Sequence, residues 1–194
     1  MLASSCHSSY LPSIDEVAES KLSQLQQNDN WRLFKIKLEP NQKLDDHRTG
    51  SRIIISLSAI KIEGLKHEKK MIKIGKYKAL WLQNKISKGF KNISQHTIEY
   101  LVLEAKDPGL QLTKSNNQCN LGTTLLAFES LMVCKLSINN SIEPLNNEPF
   151  NWRYHEQINV TNLVNDIGAN ASMFNDINHT IEIQLKNTAL TYKH

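Results

Sequence analysis

Five residues have side chains suited to binding a small polar molecule: His47, Thr49, Trp81, Lys88 and Tyr100. Lys88 would bind an anion or a carbonyl oxygen, and Trp81 would stack on a flat part of a ligand. His47 would give or accept a proton, because its unperturbed pKa is near neutral. This chemistry requires strands that bring the five side chains to one cavity.

The chain between residues 38 and 106 is predicted to form one small β-barrel. Residues 52–62 are apolar and β-branched, and their later part alternates, which suits a strand packed on both faces better than a helix. Further short strands are predicted over residues 71–74, 79–82, 89–92 and 97–104. Short strands at this spacing, with turns between them, are typical of an all-β sandwich or barrel.

A short helix and a hairpin are predicted before the barrel. Ser13 and Glu16 form a capping box, which marks a helix start. One face of this helix would carry the apolar residues Ile14, Val17, Ala18 and Leu22. Residues 22–26 and 31–38 are predicted to be the two arms of the hairpin, joined by an Asn-Asp-Asn turn.

Two stretches of the predicted barrel resemble the motifs of the cupin family. Residues 40–49 are similar to the first stretch, in which a glycine and five further residues precede His-x-His and a later Glu. Residues 75–92 are similar to the second, which has a glycine, a Pro-x-Gly turn, a His and, four residues on, an Asn. The strand pattern around them resembles the short duplicated cupins of bacteria. The resemblance covers roughly a third of the chain and implies a jelly-roll barrel.

Most metal ligands of that family are replaced in this chain. Metal-binding cupins hold the ion with three His and one Glu. Here His47 stands at the first His position, whereas the other three positions hold Thr49, Ile53 and Lys88. A transition metal normally needs three or more protein ligands, and the ammonium of Lys88 would repel a cation. The resemblance thus implies a barrel that uses no metal or other cofactor.

We therefore expect the first barrel to bind a small polar or anionic molecule. The predicted ligand-binding residues are His47, Thr49, Trp81, Lys88 and Tyr100. The same residues would also suit a former metal site filled by side chains, with His47 hydrogen-bonded and Lys88 in solvent. Two other functions stay open: a metal-dependent enzyme in which Asp45 or Asp46 joins His47, and a structural protein without a ligand, such as a homodimer joined through barrel edges.

The second half of the chain is predicted to be a degenerate copy of the first barrel. Residues 89–99 align with residues 172–182 at five identical positions, including a His-Thr-Ile-Glu tetrad in each. Residues 55–58 match residues 134–137 more loosely, at a similar offset. In this alignment the pocket positions of the second copy hold Leu126, Phe128 and Ala171, which suits a copy kept for packing.

Three units follow from these observations. Residues 1–20 are predicted to be an N-terminal extension, residues 21–107 the first cupin-like barrel, and residues 108–194 the second barrel packed on the first. The expected fold class is all-β, with two tandem jelly-roll barrels and a short N-terminal helix.

Composition argues against several classes of partner and location. The net charge of +4 is spread along the chain, and the basic cluster at residues 66–70 contains an acid and no aromatic residue, so nucleic-acid binding is not expected. No apolar run approaches 18 residues, so no membrane span is expected. Residues 1–10 lack the apolar stretch of a secretory signal, which predicts a cytoplasmic protein, or an exported one if the true start lies upstream.

The three cysteines are not expected to form a disulfide. Cys6, Cys119 and Cys134 include no close pair and no metal-finger spacing. Cys134 lies in an apolar run, where a cysteine is expected to behave as a small buried hydrophobe.

Overall fold

Strands dominate the parts of the chain that the computed structural model describes, which are residues 11–65, 70–83, 86–107, 110–119, 122–136, 151–155, 158–162 and 180–185. These ranges contain sixteen strands and one short helix. The all-β class predicted from the sequence is confirmed. Among the described residues, no helix has the length and apolar character needed to cross a membrane.

The first half contains the helix and eleven strands. In chain order they are α1 (Ile14–Val17), β1 (Leu22–Gln27), β2 (Trp31–Leu38), β3 (Lys43–Leu44), β4 (His47–Arg48), β5 (Arg52–Ser56), β6 (Ile60–Gly64), β7 (Met71–Ile74), β8 (Ala79–Leu82), β9 (Ile86–Ser87), β10 (Phe90–Asn92) and β11 (Ile98–Ala105). Five of the strands form the wide sheet, in the order β1-β2-β11-β5-β8, and four form the narrow sheet, in the order β3-β10-β6-β7. A third, two-stranded sheet joins β4 to β9.

The wide and narrow sheets enclose one apolar core. Phe34 and Val102 of the wide sheet pack in this core with Leu44 and Ile60 of the narrow sheet. The helix α1 joins the same core through Ile14, which is 2% exposed. Two sheets that share a core and a helix across one end give the first half its barrel form.

The wide sheet is buried on both faces because its strands are apolar at successive positions. On β2, Phe34 and Ile36 point into the barrel core, whereas Leu33 points to the opposite face. On β11, Val102 and Leu103 divide between the two faces in the same way. The barrel therefore presents a large apolar outer face that another element has to cover.

A second five-stranded sheet, the outer sheet, covers that face. Its strands are β12 (Thr123–Ala127), β13 (Leu131–Leu136), β14 (Asn151–His155), β15 (Ile158–Asn162) and β16 (Thr180–Leu185), in the order β12-β13-β16-β14-β15. Leu131, Val133 and Ile183 of the outer sheet share a buried cluster with Leu33 and Leu103 of the wide sheet. The second half of the chain thus packs on the first through a sheet-on-sheet contact.

The described strands of the wide and outer sheets follow one order. In each sheet the first two strands form a hairpin at one edge, which is β1–β2 in the wide sheet and β12–β13 in the outer sheet. The last strand of that half, β11 or β16, lies next to the hairpin. The other two strands follow in the sheet, although in sequence they come between the hairpin and the last strand. This order equates β16 with β11, as the two His-Thr-Ile-Glu tetrads do, but it equates β13 with β2. The looser match of residues 134–137 to residues 55–58 instead equates β13 with β5. Residues 137–150 and 163–179, including Ala171, lie outside the described residues, so a second barrel and the three-unit division stay predictions.

The predicted helix is confirmed, and it is four residues long. The Ser13 N–H donates to Oε2 of Glu16 at 3.3 Å, as in a capping box. Ile14 and Ala18 are buried in the barrel core, with Val17 packed against it. Because so short a helix is unstable alone, this packing is what holds it in place.

Cys119 and Cys134 form a disulfide, so the expectation that Cys134 is a free buried thiol is wrong. The Cys119 N–H donates to Oγ1 of Thr124 at 2.8 Å, and Thr124 lies directly opposite Cys134 in the β12–β13 pair. This fold-back brings the two Cα atoms to 6.0 Å, the usual distance for a disulfide. Cys6 lies outside the described residues.

The disulfide can be tested by counting thiols. We expect one free thiol, that of Cys6, in the unfolded protein before reduction and three after it. Since the bond closes a loop with a sequence separation of 15, Cys134→Ser should lower the free energy of unfolding by about 3 kcal/mol. Urea unfolding measures that loss, with Cys6→Ser as the matched control. Three free thiols before reduction would contradict the bond.

Candidate functional site

A cavity of about 30 Å³ lies inside the first barrel, against α1. This volume holds about two water molecules. Most of its lining is apolar, and Ile14 of the helix is part of it. Its polar lining residues are His47, Thr49, Arg52, Ser87 and Tyr100.

Three of the five predicted ligand-binding residues line this cavity, and two do not. His47, Thr49 and Tyr100 are part of its lining. Trp81 lies opposite Ile53 in the β5–β8 pair, on the outer face of the wide sheet, where it packs against the outer sheet. Lys88 is exposed, between β9 and β10. The expectation that all five share one cavity therefore has to be corrected for Trp81 and Lys88.

Trp81 has a packing role at its observed place. Its ring meets that of Phe128 edge to face, with 5.4 Å between the ring centroids. Phe128 is fully buried between the two sheets. Aromatic pairs in this geometry stabilise a core by about 1 kcal/mol beyond the area they bury.

Arg52 is the cation of the cavity, and sequence reasoning missed it. It is 6% exposed and lies on the same face of β5 as Ile54, which also lines the cavity. Burial lowers the pKa of Arg52, and the carboxylate of Glu104, directly opposite on β11, works against that shift. The charge predicted at Lys88 is thus supplied from a different strand. Because successive side chains of a strand point to opposite faces, the position of Arg52 two residues before Ile54 was the available signal.

Glu104 organises the end of the barrel where the cavity lies. Glu104 is 4% exposed. Oε1 accepts hydrogen bonds from Oγ1 of Thr49 at 2.6 Å and from the Gly50 N–H at 2.7 Å. Oε2 accepts from Nε of Arg32 at 2.7 Å and lies 2.6 Å from its Nη2. Four donors on one buried carboxylate offset its loss of hydration and fix the loop that follows His47.

Gly50 is required for this loop to approach β11. A Cβ at residue 50 would lie 2.5 Å from the backbone oxygen of Ala105, which is too close for any side chain. The Gly50 N–H can therefore reach Glu104 only because the residue has no side chain.

The N-terminal segment closes the end of the barrel beside the cavity. Nη1 of Arg32 lies 2.7 Å from Oδ2 of Asp15 on α1, so Arg32 links the helix to Glu104. The Arg48 N–H donates to the backbone oxygen of Pro12 at 2.8 Å. Between these two contacts Ile14 enters the cavity wall.

His47 presents a neutral imidazole at the cavity. It is 4% exposed, and Nδ1 lies 2.8 Å from the backbone oxygen of Asp45, which can only accept. Nδ1 therefore carries the proton, and Nε2 keeps its lone pair. Burial lowers the pKa of His47, against the effect of the Asp45 carbonyl and together with that of the Arg52 guanidinium. Nε2 has no hydrogen-bond partner among the residues described.

Tyr100 faces the cavity with its proton retained. Its side chain is 4% exposed, and burial raises its pKa, against the effect of the Arg52 guanidinium. The hydroxyl makes no hydrogen bond with any part of the chain that the structure describes. The cavity thus contains donors on Arg52 and Tyr100 and an acceptor on His47.

The donors around His47 do not fit a transition-metal site. In the described ranges no three His, Cys, Asp or Glu side chains group together. Asp46 is held by the Gly89 N–H, which donates to its Oδ1 at 2.6 Å, and Asp45 is exposed. Arg52 adds a positive charge to the cavity itself. One imidazole beside a guanidinium falls short of the three or more ligands that such an ion needs.

Replacing the buried carboxylate tests its role in the fold. We expect Glu104→Gln to lower the free energy of unfolding by about 3 kcal/mol, because it leaves Arg32 without its buried partner. Glu99→Gln on the same strand is the matched control. Glu99 and Lys35 also form an ion pair, at 2.7 Å, but their side chains are 32% and 23% exposed, so the loss should stay below about 1 kcal/mol. Equal losses in urea unfolding would contradict this role.

The lowered pKa of His47 predicts the sign of a pH effect on stability. As the pH falls below about 6.5, the unfolded chain binds a proton at this residue before the folded chain does. The contribution of neutral His47 is therefore present above that pH and is lost as the pH falls through the folded pKa. We expect His47→Gln to lose less unfolding free energy than the wild type between roughly pH 7.5 and roughly pH 5.

The exposed His96 provides the control for that measurement. His96→Gln leaves His47 in place and should keep the wild-type loss of stability toward acid. Urea unfolding at each pH measures the free energy of unfolding. If His47→Gln and the wild type have the same pH dependence, the buried imidazole has no such effect.

Comparisons with known proteins identify similar folds. No protein-family model matches the chain, and no curated protein matches its sequence. A cupin domain from Bordetella pertussis Tohama I is similar to 50% of this chain over 98% of its own length, at 10% identity and a TM-score of 0.40. A cupin superfamily protein from Desulfitobacterium hafniense DCB-2 is similar over 44% and 76%, at 11% identity and a TM-score of 0.36.

A third similar structure is the polyketide cyclase RemF from Streptomyces resistomycificus, with 45% of this chain and 66% of that one covered, at 16% identity and a TM-score of 0.38. The solved structures to which this chain is similar thus include cupin domains.

Proposed function

We propose that the first barrel binds a small anion, without a metal, in the cavity between Arg52, Tyr100 and His47. The observation that carries this proposal is the buried guanidinium of Arg52 in the cavity wall, beside a buried Tyr100 hydroxyl that has no hydrogen-bond partner in the described ranges. A buried polar group left unpaired costs about 1–3 kcal/mol, and a ligand with acceptor atoms would remove that cost.

The volume of the cavity limits the ligand. Space of about 30 Å³ admits a group the size of two water molecules, so the ligand is an ion or a terminal group of that size. The ordinary pockets that hold drug-sized molecules are about ten times larger. A halide, formate or a comparably small oxyanion suits the space.

The three polar groups also define the chemistry of that ligand. Arg52 supplies a positive charge and directional N–H donors, and Tyr100 supplies an O–H donor. Nε2 of neutral His47 is a hydrogen-bond acceptor, so it would accept a hydrogen bond from an O–H group of the ligand. This combination favours an oxyanion with one O–H group over a fully deprotonated one.

A structural role is the second candidate, and the small cavity supports it. Two water molecules would satisfy the same polar atoms, and the barrel would then serve as the packing partner of the outer sheet. A homodimer joined through barrel edges belongs to this candidate. The metal-dependent enzyme has less support, because Asp45 is exposed and Asp46 accepts a hydrogen bond from the Gly89 N–H. In addition, the guanidinium of Arg52 lines the cavity and would repel a metal cation.

The disulfide bears on the compartment. Structural disulfides persist in oxidising compartments and are rare in the cytosol. Of the two predicted locations, the Cys119–Cys134 bond therefore favours export over the cytoplasm.

Anion binding is tested by thermal unfolding with formate, bicarbonate, phosphate and chloride at constant ionic strength. We expect at least one small anion to raise the Tm of the wild type, because a ligand at a hundred times its Kd stabilises the folded state by about 2.7 kcal/mol. Arg52→Gln should abolish the increase, and Tyr100→Phe should weaken binding about fivefold.

The matched control is Lys88→Gln, which removes an exposed charge next to the lining residue Ser87 and should leave the increase in Tm intact. No increase with any anion, or equal losses in Arg52→Gln and Lys88→Gln, would overturn the proposal. Stoichiometric iron, manganese, nickel or zinc in the purified protein, lost in His47→Ala, would support the metal-dependent enzyme instead.

A further inference from the structure

The outer face of the narrow sheet carries a lysine on each of its four strands: Lys43 on β3, Lys91 on β10, Lys61 on β6 and Lys73 on β7. Their neighbours in sequence, such as Leu44, pack in or against the barrel core, so the lysines point away from it. All four side chains are exposed or half-buried. We call this surface the basic sheet face.

The lysines of this face repel one another. Lys91 lies directly opposite Lys43, and Lys61 lies directly opposite Lys73. Like charges at directly opposite positions destabilise a sheet. Within the described ranges none of the four has an ion pair, and Glu63, opposite Lys91, is the acid of the face. Four lysines and one glutamate leave a charge of +3 that an anionic partner would neutralise.

A further cation extends the face at one edge. Nζ of Lys21 donates to the backbone oxygen of Lys43 at 3.1 Å, which places its ammonium beside β3. Adjacent strands of the face are about 4.8 Å apart, which is within the Debye length of about 8 Å at physiological salt, whereas the whole face is about 14 Å wide. Lysines on adjacent strands therefore act together on a partner.

The chemistry of the face favours a lipid surface over other polyanions. Its cations are lysines, which are point charges on flexible stems and lack the fork with which arginine binds single phosphates. The described positions of the face hold no aromatic side chain, so bases have nothing to stack on. Met71 is on the same face and 51% exposed, and Ile72 of the same edge strand is 44% exposed. Lysines with apolar side chains at their margin match an anionic bilayer surface.

We propose that the basic sheet face docks the protein on an anionic membrane surface. This site is separate from the cavity, because the lysines and the cavity lining belong to opposite faces of the narrow sheet. Docking of this kind neutralises the Lys61–Lys73 and Lys43–Lys91 pairs without any change in the barrel.

The test is co-sedimentation of the full chain with vesicles of phosphatidylcholine alone or with phosphatidylserine added. We expect binding to the anionic vesicles only, weakened by added salt. The triple variant Lys61→Gln, Lys73→Gln, Lys91→Gln should bind on the order of 100-fold more weakly. Because it also removes like-charge repulsion, its Tm should equal or exceed that of the wild type, which shows that it is folded.

The matched control changes the same number of exposed lysines elsewhere, as Lys88→Gln, Lys106→Gln, Lys114→Gln. It should retain binding within about fivefold. Equal losses in both triple variants would show that only net charge matters, and no preference for anionic vesicles would exclude the membrane. Displacement of the wild type from the vesicles by single-stranded RNA or an acidic peptide at lower concentration than the lipid would assign the face to that partner. Each of these three results overturns the proposal.

Discussion

The carboxylate of Glu104 is the contact on which the end of the barrel depends. Taken alone, a buried carboxylate would be costly, and the cost is met here by donors from β2 and from the loop after His47. Arg52 lies directly opposite Glu104 on the next strand and lines the cavity. Arg32 ties α1 to the barrel, because it contacts both Asp15 and Glu104. Two polar residues of the cavity lining, Thr49 and Arg52, therefore lie next to the buried Glu104 carboxylate.

The wide sheet joins two structural roles because it is apolar on both faces. Its inner face builds the barrel core and the cavity, and its outer face builds the contact with the second half of the chain. Burial on both faces fixes the pairing register of the strands more strongly than burial on one face would. A slip of one residue would move the side chains of the inner face to the outer face and the reverse. The site on the inner face is thus held in register by packing on the outer face.

The sequence predicted most strands, because apolar alternation and turn residues are local signals, but it could not predict register. Trp81 was expected in the cavity, yet it lies opposite Ile53, whose neighbour Arg52 faces the other way. The sequence of one strand does not show which residue of the other strand it pairs with, so the face on which Trp81 lies could not be predicted. Lys88 follows a strand of only two residues, too short to show a face. The Cys119–Cys134 bond depends on a fold-back at Thr124 that no cysteine spacing records.

A crystal of the protein soaked in bromide would show whether Arg52 and Tyr100 form an anion site inside the first barrel. Bromide fits the space of about two water molecules and is located by its anomalous scattering. We expect a bromide within hydrogen-bond distance of the Arg52 guanidinium and the Tyr100 hydroxyl. A cavity filled by side chains or by water alone, with bromide only at surface lysines, would contradict it.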